Sequence, residues 1–389
     1  MGLTNFDIIV VGAGINGMTT ACALSEKGFK VALIERDRIK KKLKDNRDGR
    51  GISIARNSKD ILSKYNIWEH ISSEYGTMEK IVVTDGGTDK LLEFDNKLVG
   101  GEPLGYLIES DNILKGLCKK IFSSDITILD GKQCKEISAE GHSAKIILEG
   151  GEIIESKAVI VTNGRQSGIA SELGLESKSK KYNQVALVFN IEHAEKHNNY
   201  AYECFLKNGP FALLPLHNKN QSSVVWCEDS AVLEMDIGNI DLEDHLRRRC
   251  GDIYSDVKIV TEVSKFPLSL SHMDHYYKGR SVFIGDSLHF IHPVAGQGYN
   301  LSLKDIDTLT CLFEKHRDLG LDLGSEILFK EFQGNRKRDN KSMIRTTDSL
   351  VSLFSNDIAI PSICRRVGLQ VVDNIPPLKK FFMRKAMGY

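Results

Sequence analysis

Short apolar runs recur along the chain, and several of them end in polar turns that carry glycine. Asp7 to Val11 (DIIVV) has the unbroken apolar character of a strand covered on both faces, and it runs directly into Gly12-Ala13-Gly14-Ile15-Asn16-Gly17. A helical stretch follows to about Lys27 and stops at Gly28. Lys30 to Ile34 (KVALI) then predicts a second strand ending at Glu35. Lys157 to Thr162 (KAVIVT) and Ser281 to Ile284 close in the same way, one in Asn163-Gly164-Arg165-Gln166-Ser167, the other in Gly285-Asp286. Strand ends from distant parts of a chain that finish in such turns are what one large ligand requires.

Between these runs the pattern varies. Ser58 to Tyr65 predicts a helix. Residues 79 to 95 alternate around Ile81, Val83 and an Asp85-Gly86-Gly87 turn, a hairpin outside the parallel sheet. Glu102 to Leu117 reads as a strand followed by a helix start at Asp111, and residues 126 to 154 hold three short strands, the last two joined across Gly150-Gly151. From Tyr182 to about Phe266 separated strands (QVALVFNI, YECFL, FALLPL, SVVWCE) alternate with polar breaks and lack βαβ spacing, which predicts an antiparallel sheet. Residues 303 to 316, 325 to 355 and a segment from Ser362 read as helices.

The first turn carries chemistry. A lone G-x-G-x-x-G is weak evidence, but Gly12, Gly14 and Gly17 have a strand before them, a helix after them and an acidic residue 18 positions past the last glycine. Gly12 permits the tight turn, Gly14 lets a pyrophosphate near the helix N-terminus beside Ile15 and Asn16, Gly17 allows close packing, and Glu35 accepts from a ribose hydroxyl. The basic stretch from Arg36 to Arg50 is either a solvated loop or a source of phosphate contacts, with Arg50 the candidate arm.

At the other end of the chain Asp286 stands at a strand's carboxyl end, and Pro293 excludes helix. Gly296-Gln297-Gly298 then form a backbone nest, and Tyr299 and Asn300 open a helix that continues to Asp305. This combination suits a polar ligand with hydroxyls to bind and negative charge to stabilise, such as a flavin.

Composition narrows the classes. At 389 residues the chain is long enough for about two domains at one per ~150 residues. Lys plus Arg equals Asp plus Glu at 52 each, so no global field draws in nucleic acid. Eight cysteines without a C-x-x-C pair speak against a zinc site or a disulfide framework and predict a reducing cytoplasm. The first residues lack the basic n-region of a signal peptide, and no apolar run reaches the ~18 residues of a membrane span. No second dinucleotide fingerprint occurs, so a nicotinamide would visit without a domain of its own.

With these residues in view, the chain resembles the FAD-dependent aromatic hydroxylases of the p-hydroxybenzoate hydroxylase type, and within them the ubiquinone-biosynthesis hydroxylase group. HPVAGQGYNLSLKD at 292 to 305 is similar to that group's HPxAGQGxNLGxxD signature. LGYLIESDNIL at 104 to 114, GPFALLPL at 209 to 216 and the tail from Arg338 to the terminal FFMRKAMGY extend the likeness over nearly the whole chain. Departures are Asn163 where the family usually shows Asp, Ser110 where the group often shows Asn, and Ser287-Leu288 for Ala-Ala before His289.

The resemblance implies an α/β fold. A Rossmann-like FAD-binding domain would be built from 1–78, 100–181 and 267–325. An inserted antiparallel β-sheet substrate domain would come from 79–99 and 182–266, and a C-terminal helical region from 326–389. Gly12, Gly14, Ile15, Asn16, Gly17, Glu35 and Arg36 would bind the ADP half of FAD, and Arg50 its pyrophosphate. Gly285 and Asp286 would hold the ribityl chain, and Pro293, Gly296, Gln297, Gly298, Tyr299 and Asn300 the ring.

The implied reaction is a monooxygenation: NAD(P)H reduces FAD, dioxygen adds at flavin carbon 4a, and the hydroperoxide passes one oxygen to a phenol ring. The expected substrate is a lipophilic phenol or quinone precursor. Hydroxylation of a small soluble aromatic acid, which would call for a buried Arg or a Tyr pair, stays open. So do a non-catalytic FAD-binding subunit of a quinone-biosynthesis complex, which Asn163 keeps in play, and a reductase of isoprenoid double bonds.

Three features carry alternatives. His289 and His292 could hold a metal, move a proton or brace a turn, and without a third ligand in view the turn is expected. Asp305 is expected to support the helix start. Trp226 and Phe211 either line the substrate cavity or fill the core, core being expected. Leu378, Phe381, Phe382 and Met383, interleaved with Lys379, Lys380, Arg384 and Lys385, predict either a helix packed on the body or peripheral contact with the inner face of a membrane or with quinone-pathway proteins.

Overall fold

The structure is a computed structural model that describes residues 5–40, 49–85, 90–139, 141–165, 168–206, 209–231, 242–251, 253–354 and 370–389. The basic stretch 41–48, the turn centres Gly86-Gly87 and Gln166-Ser167, and the helix start at Ser362 lie outside the described residues.

The first sheet is parallel at its heart. The strand Asn5–Val11 lies between Ile153–Val161 and Val31–Glu35, with Ser281–Phe283 beyond the former and Thr127–Asp130 beyond the latter. Ile8, Ile9 and Val10 are fully buried because strands flank them on both sides and helices cover the sheet, which is why this run shows no alternation. The helix Ile15–Glu26 buries its residues from Gly17 to Leu24 and packs on the helices Ser110–Phe122 and Gly298–Asp318.

The second sheet runs in the order His289–Phe290, Ser264–Met273, Ser177–Glu192, Gln221–Asp229, Gly209–Pro215, Tyr200–Leu206, Lys80–Asp85, Lys90–Asp95. Its pairs are antiparallel except for Tyr200–Leu206 against Lys80–Asp85, where a hairpin from elsewhere in the chain joins the sheet in parallel. The pairing runs past the limits expected from the sequence. Ser177 to Lys181 ladders with Ser269 to Met273, and His272 pairs with His289 inside the glycine-nest stretch. Ser177 to Lys181 is exposed and made of Ser and Lys, so backbone hydrogen bonds form there without an apolar signature.

Alternation gives this sheet two unlike faces. Leu187, Phe189, Phe211, Leu213 and Trp226 pack outward beneath the helix Leu242–Cys250. The intervening Ala186, Val188, Ala212, Val225 and Cys227 turn toward the first domain. Phe211 and Trp226 are therefore core residues. A three-stranded sheet (Gly51–Ala55, Gly105–Glu109, Gly76–Met78) lies apart from both larger sheets, and the helices Glu326–Phe354 and Pro376–Ala386 close the chain. No helix of the described residues is long and apolar enough to cross a membrane.

Candidate functional site

A cavity of about 2310 Å³ lies between the strand ends of the first sheet and the small-residue face of the second. Single small-molecule sites usually occupy roughly 300–1,000 Å³, so this space can take a large cofactor and a substrate together.

Its floor is the first glycine loop. A Cβ at Gly17 would overlap the Gly12 carbonyl oxygen and lie 2.6 Å from the Thr162 hydroxyl, so helix and loop approach as only glycine allows. That hydroxyl in turn stands 2.9 Å from the carbonyl oxygens of Val11 and Gly12, tying the loop to the end of Ile153–Val161. A Cβ at Gly14, by contrast, would meet nothing within 4 Å, leaving the helix N-terminus open to the cavity. Glu35 is 5% exposed and accepts from the Ala13 N–H at 2.7 Å and the Asp37 N–H at 3.1 Å, which fixes its carboxylate beside the glycine loop.

Asp286 enters from the opposite side. The Asn16 amide donates to it at 3.4 Å, and Gly285 has a φ of 64° and sits so close that a Cβ would strike the Asn16 side chain. The surrounding protein pushes the Asp286 carboxyl above the usual carboxylate range, against the charges of His289, Arg50 and Arg165. Its side chain is open to the cavity, so the crowding acts in full only when the cavity is filled. Arg50 also lies 5.6 Å from the Phe266 ring.

Asn300 clips the glycine nest in place: its amide nitrogen donates to the Ser53 and Gly296 carbonyls at 3.0 Å each, and its oxygen accepts from Ala55 N–H at 2.8 Å. A Cβ at Gly298 would meet nothing within 4 Å, so the helix that starts there also opens on the cavity.

Of the residues predicted from the sequence, Gly12, Gly14, Ile15, Asn16, Glu35, Arg36, Arg50, Asp286, Pro293, Gly296, Gln297, Gly298 and Tyr299 line this cavity. Gly17, Gly285 and Asn300 stand behind the lining and shape it. Two buried amide oxygens, Asn16 Oδ1 and Asn163 Oδ1, have no hydrogen-bond partner among the described residues. Open glycine positions at two helix starts, unsatisfied acceptors and a carboxylate fit FAD, which brings pyrophosphate oxygens and ribityl hydroxyls.

His289 is more than a turn histidine. Its Nε2 lies 2.5 Å from Asp305 Oδ2, and Asp305 Oδ1 accepts from Arg336 Nε at 2.7 Å and Asn340 Nδ2 at 3.2 Å. Burial alone would raise the Asp305 carboxyl; the charges and hydrogen bonds of His289 and Arg336 overcome it and hold the group below its ordinary value. Asp305 thus joins two helices to the cavity wall instead of capping its own helix. The i, i+3 spacing of the histidines concealed this, because the partners of His289 lie far along the chain.

His292 is fully buried, accepts from Val294 N–H through Nδ1 at 3.2 Å and is pushed down to about 4 by burial. Among the described residues no three His, Cys, Asp or Glu side chains gather as a metal would require.

Glu203 was not singled out from the sequence. It lines the cavity from Tyr200–Leu206, on the same strand face as Ala201 and Phe205. The signal was present as an acidic residue flanked at two-residue spacing by apolar ones. At the cavity's far end Phe381 and Phe382, 54% and 42% exposed, form part of the mouth with Lys385.

Residues 5–316 match the FAD binding domain family. The chain is similar to the ubiquinone hydroxylase UbiL of Rhodospirillum rubrum, 33% identical over 385 residues, covering 98% of this chain and 89% of the relative. It is also similar to the human mitochondrial ubiquinone biosynthesis monooxygenase COQ6, 28% identical over 433 residues, covering 98% and 92%. In fold it resembles the p-nitrophenol 4-monooxygenase PnpA of Pseudomonas putida DLL-E4, with a TM-score of 0.81 at 13% identity and 99% of both chains covered.

Proposed function

As the chain belongs to the FAD-binding-domain family of flavin-dependent aromatic monooxygenases, we propose that it hydroxylates the ring of a polyprenyl phenol on the way to ubiquinone, with NAD(P)H and dioxygen as co-substrates. The observation that carries this reading is the continuity of one cavity from the glycine loops, along the apolar face of the second sheet, to a mouth edged by Phe381 and Phe382. An isoprenoid tail needs such a passage. A small aromatic acid would need a cation on the sheet wall, and among the described lining residues the arginines (Arg36, Arg50, Arg165) all come from loops of the first domain. Relatives named for ubiquinone hydroxylation support the same direction.

In this reading Gly12, Gly14, Ile15, Asn16, Gly17, Glu35 and Arg36 hold the ADP half of FAD and Arg50 reaches its pyrophosphate. Gly285 and Asp286 take the ribityl chain, and the backbone from Pro293 to Asn300 holds the ring. Bound FAD supplies the reduction and oxygen activation that no side chain here can provide. The chain's own part is to orient, to keep water out with the apolar sheet face, and to present the open helix start at Gly298 to negative charge. The exposed phenylalanines and basic residues of Pro376–Ala386 support contact with the inner face of a membrane, from which a lipophilic substrate would enter.

The test is turnover by the purified holoprotein. NAD(P)H-dependent oxygen uptake should appear with polyprenyl phenols and yield a product one oxygen atom heavier. Bound FAD that neither NADH nor NADPH bleaches, with or without such phenols, would instead identify a non-catalytic subunit.

A further inference from the structure

We propose that Glu203 accepts a hydrogen bond from the phenolic O–H of the substrate and takes its proton as the oxygen atom is transferred to the ring. This rests on the hydroxylase reading above.

The placement carries the argument. Glu203 faces the cavity from the middle of a strand whose register neighbours are Ala212 on one side and Val83 on the other, and Ala201 and Phe205 flank it on the same face. Among the described residues no side chain or backbone N–H donates to its carboxyl, and no charge near it offsets its removal from water. Of the described cavity-lining residues on the second sheet, Glu203 is the only one with an acidic side chain, and His289 at the sheet's edge is the only other with a group that can carry charge near neutrality.

A carboxyl isolated on an apolar wall is costly unless something that enters the cavity satisfies it. The entering group must therefore donate a hydrogen bond. A substrate carboxylate would be repelled; a phenol donates.

Burial raises Glu203 to about 7, so near neutrality it divides between acid and base. The titratable groups around it leave this unchanged. Gly209–Pro215 contains none, Cys227 on the next strand is held protonated by burial, and Asp339 on the long helix is paired with Arg336.

The step is a proton transfer without redox change. The phenol O–H bond breaks, its electron pair stays on the ring oxygen, and a Glu203 carboxylate oxygen gains the proton. As the proton leaves, charge moves to the ring oxygen and spreads to the ortho and para carbons, which makes them better targets for an electrophilic oxygen. A resting phenol with a pKa near ~10 keeps its proton beside this carboxylate, so the proton passes to Glu203 only as attack on the ring makes the O–H more acidic.

The experiment uses holoenzyme with Glu203→Gln and Glu203→Asp. Glu203→Gln should bind FAD and melt as the unmodified protein does, yet turn over a polyprenyl phenol about 10²-fold more slowly near pH 7. It should also lose the rise in rate through neutrality and recover as the pH approaches the phenol's own pKa. Glu203→Asp should retain part of the rate and the same pH shape.

A coloured phenol, 2-geranyl-4-nitrophenol, reports the contact directly: its ionisation should be shifted to higher pH and broadened in the wild-type site relative to Glu203→Gln, because a neighbouring carboxylate opposes a second negative charge. Equal rates and pH profiles, or a probe that ionises alike in both, would overturn the role of Glu203 while leaving the hydroxylase reading intact. A wild-type holoenzyme that neither binds the probe nor hydroxylates any phenol would overturn both.

Discussion

Gly17 and Gly14 are both glycines of one loop, yet they answer to different constraints. A methyl group at Gly17 would overlap the Gly12 carbonyl, a backbone atom that cannot step aside. Gly17→Ala should therefore destabilise even the FAD-free protein by about 1–3 kcal/mol, seen as a lowered denaturant midpoint. At Gly14 the same methyl meets open space, so Gly14→Ala should leave the FAD-free protein's stability unchanged and weaken FAD binding at least about tenfold through the volume it takes from the pyrophosphate. Flavin fluorescence titration separates the two.

A third residue, His292, sets a pH dependence. Its folded value near 4 lies below its ordinary 6.5, so between these limits the unfolded chain binds a proton that the folded chain refuses. Stability is complete above pH 6.5 and falls with the pH, by roughly 3 kcal/mol on this account by pH 4. His193, His197 and His272 are shifted in the same direction, so urea titrations of His292→Leu should show a shallower loss, not a flat one.

Among the elements, the helices Gly298–Asp318 and Glu326–Phe354 depend on one buried junction. Asp305 is fully buried and Arg336 nearly so, and each satisfies the other. Arg336→Ala would leave the buried carboxylate with only His289 and Asn340 and should cost about 3 kcal/mol by chemical denaturation, whereas replacing both Asp305 and Arg336 by apolar residues should restore most of it. His289 would lose its anchor in the double variant, so activity should not return with stability.

The terminal helix Pro376–Ala386 is simpler. Phe381 and Phe382 stand out from the body beside Lys380 and Arg384. Phe381→Glu with Phe382→Glu should abolish sedimentation with anionic lipid vesicles without lowering the melting temperature, and unchanged sedimentation would assign the helix to protein contacts.

At the scale of the whole molecule, local grammar and long-range pairing contributed different things. The parallel strands, the first glycine loop and the glycine nest were legible because each needs its own residues whatever surrounds it. A strand covered on both faces must be continuously apolar, and a backbone that approaches another this closely must lack Cβ. The second sheet's existence was legible from its separated strands, but its extent was not, since Ser177 to Lys181 pair through backbone groups that side-chain patterns do not report.

The His289–Asp305–Arg336–Asn340 cluster and the solitary place of Glu203 were decided only by the tertiary structure. A buried charge takes its meaning from its neighbours, and here those neighbours arrive from other strands and helices. The sequence by itself determined what each local segment can form and which backbone positions stay open. The folded chain decided which polar groups face each other and which one faces an apolar wall alone, because desolvation and charge pairing depend on distance in space and not on separation along the chain.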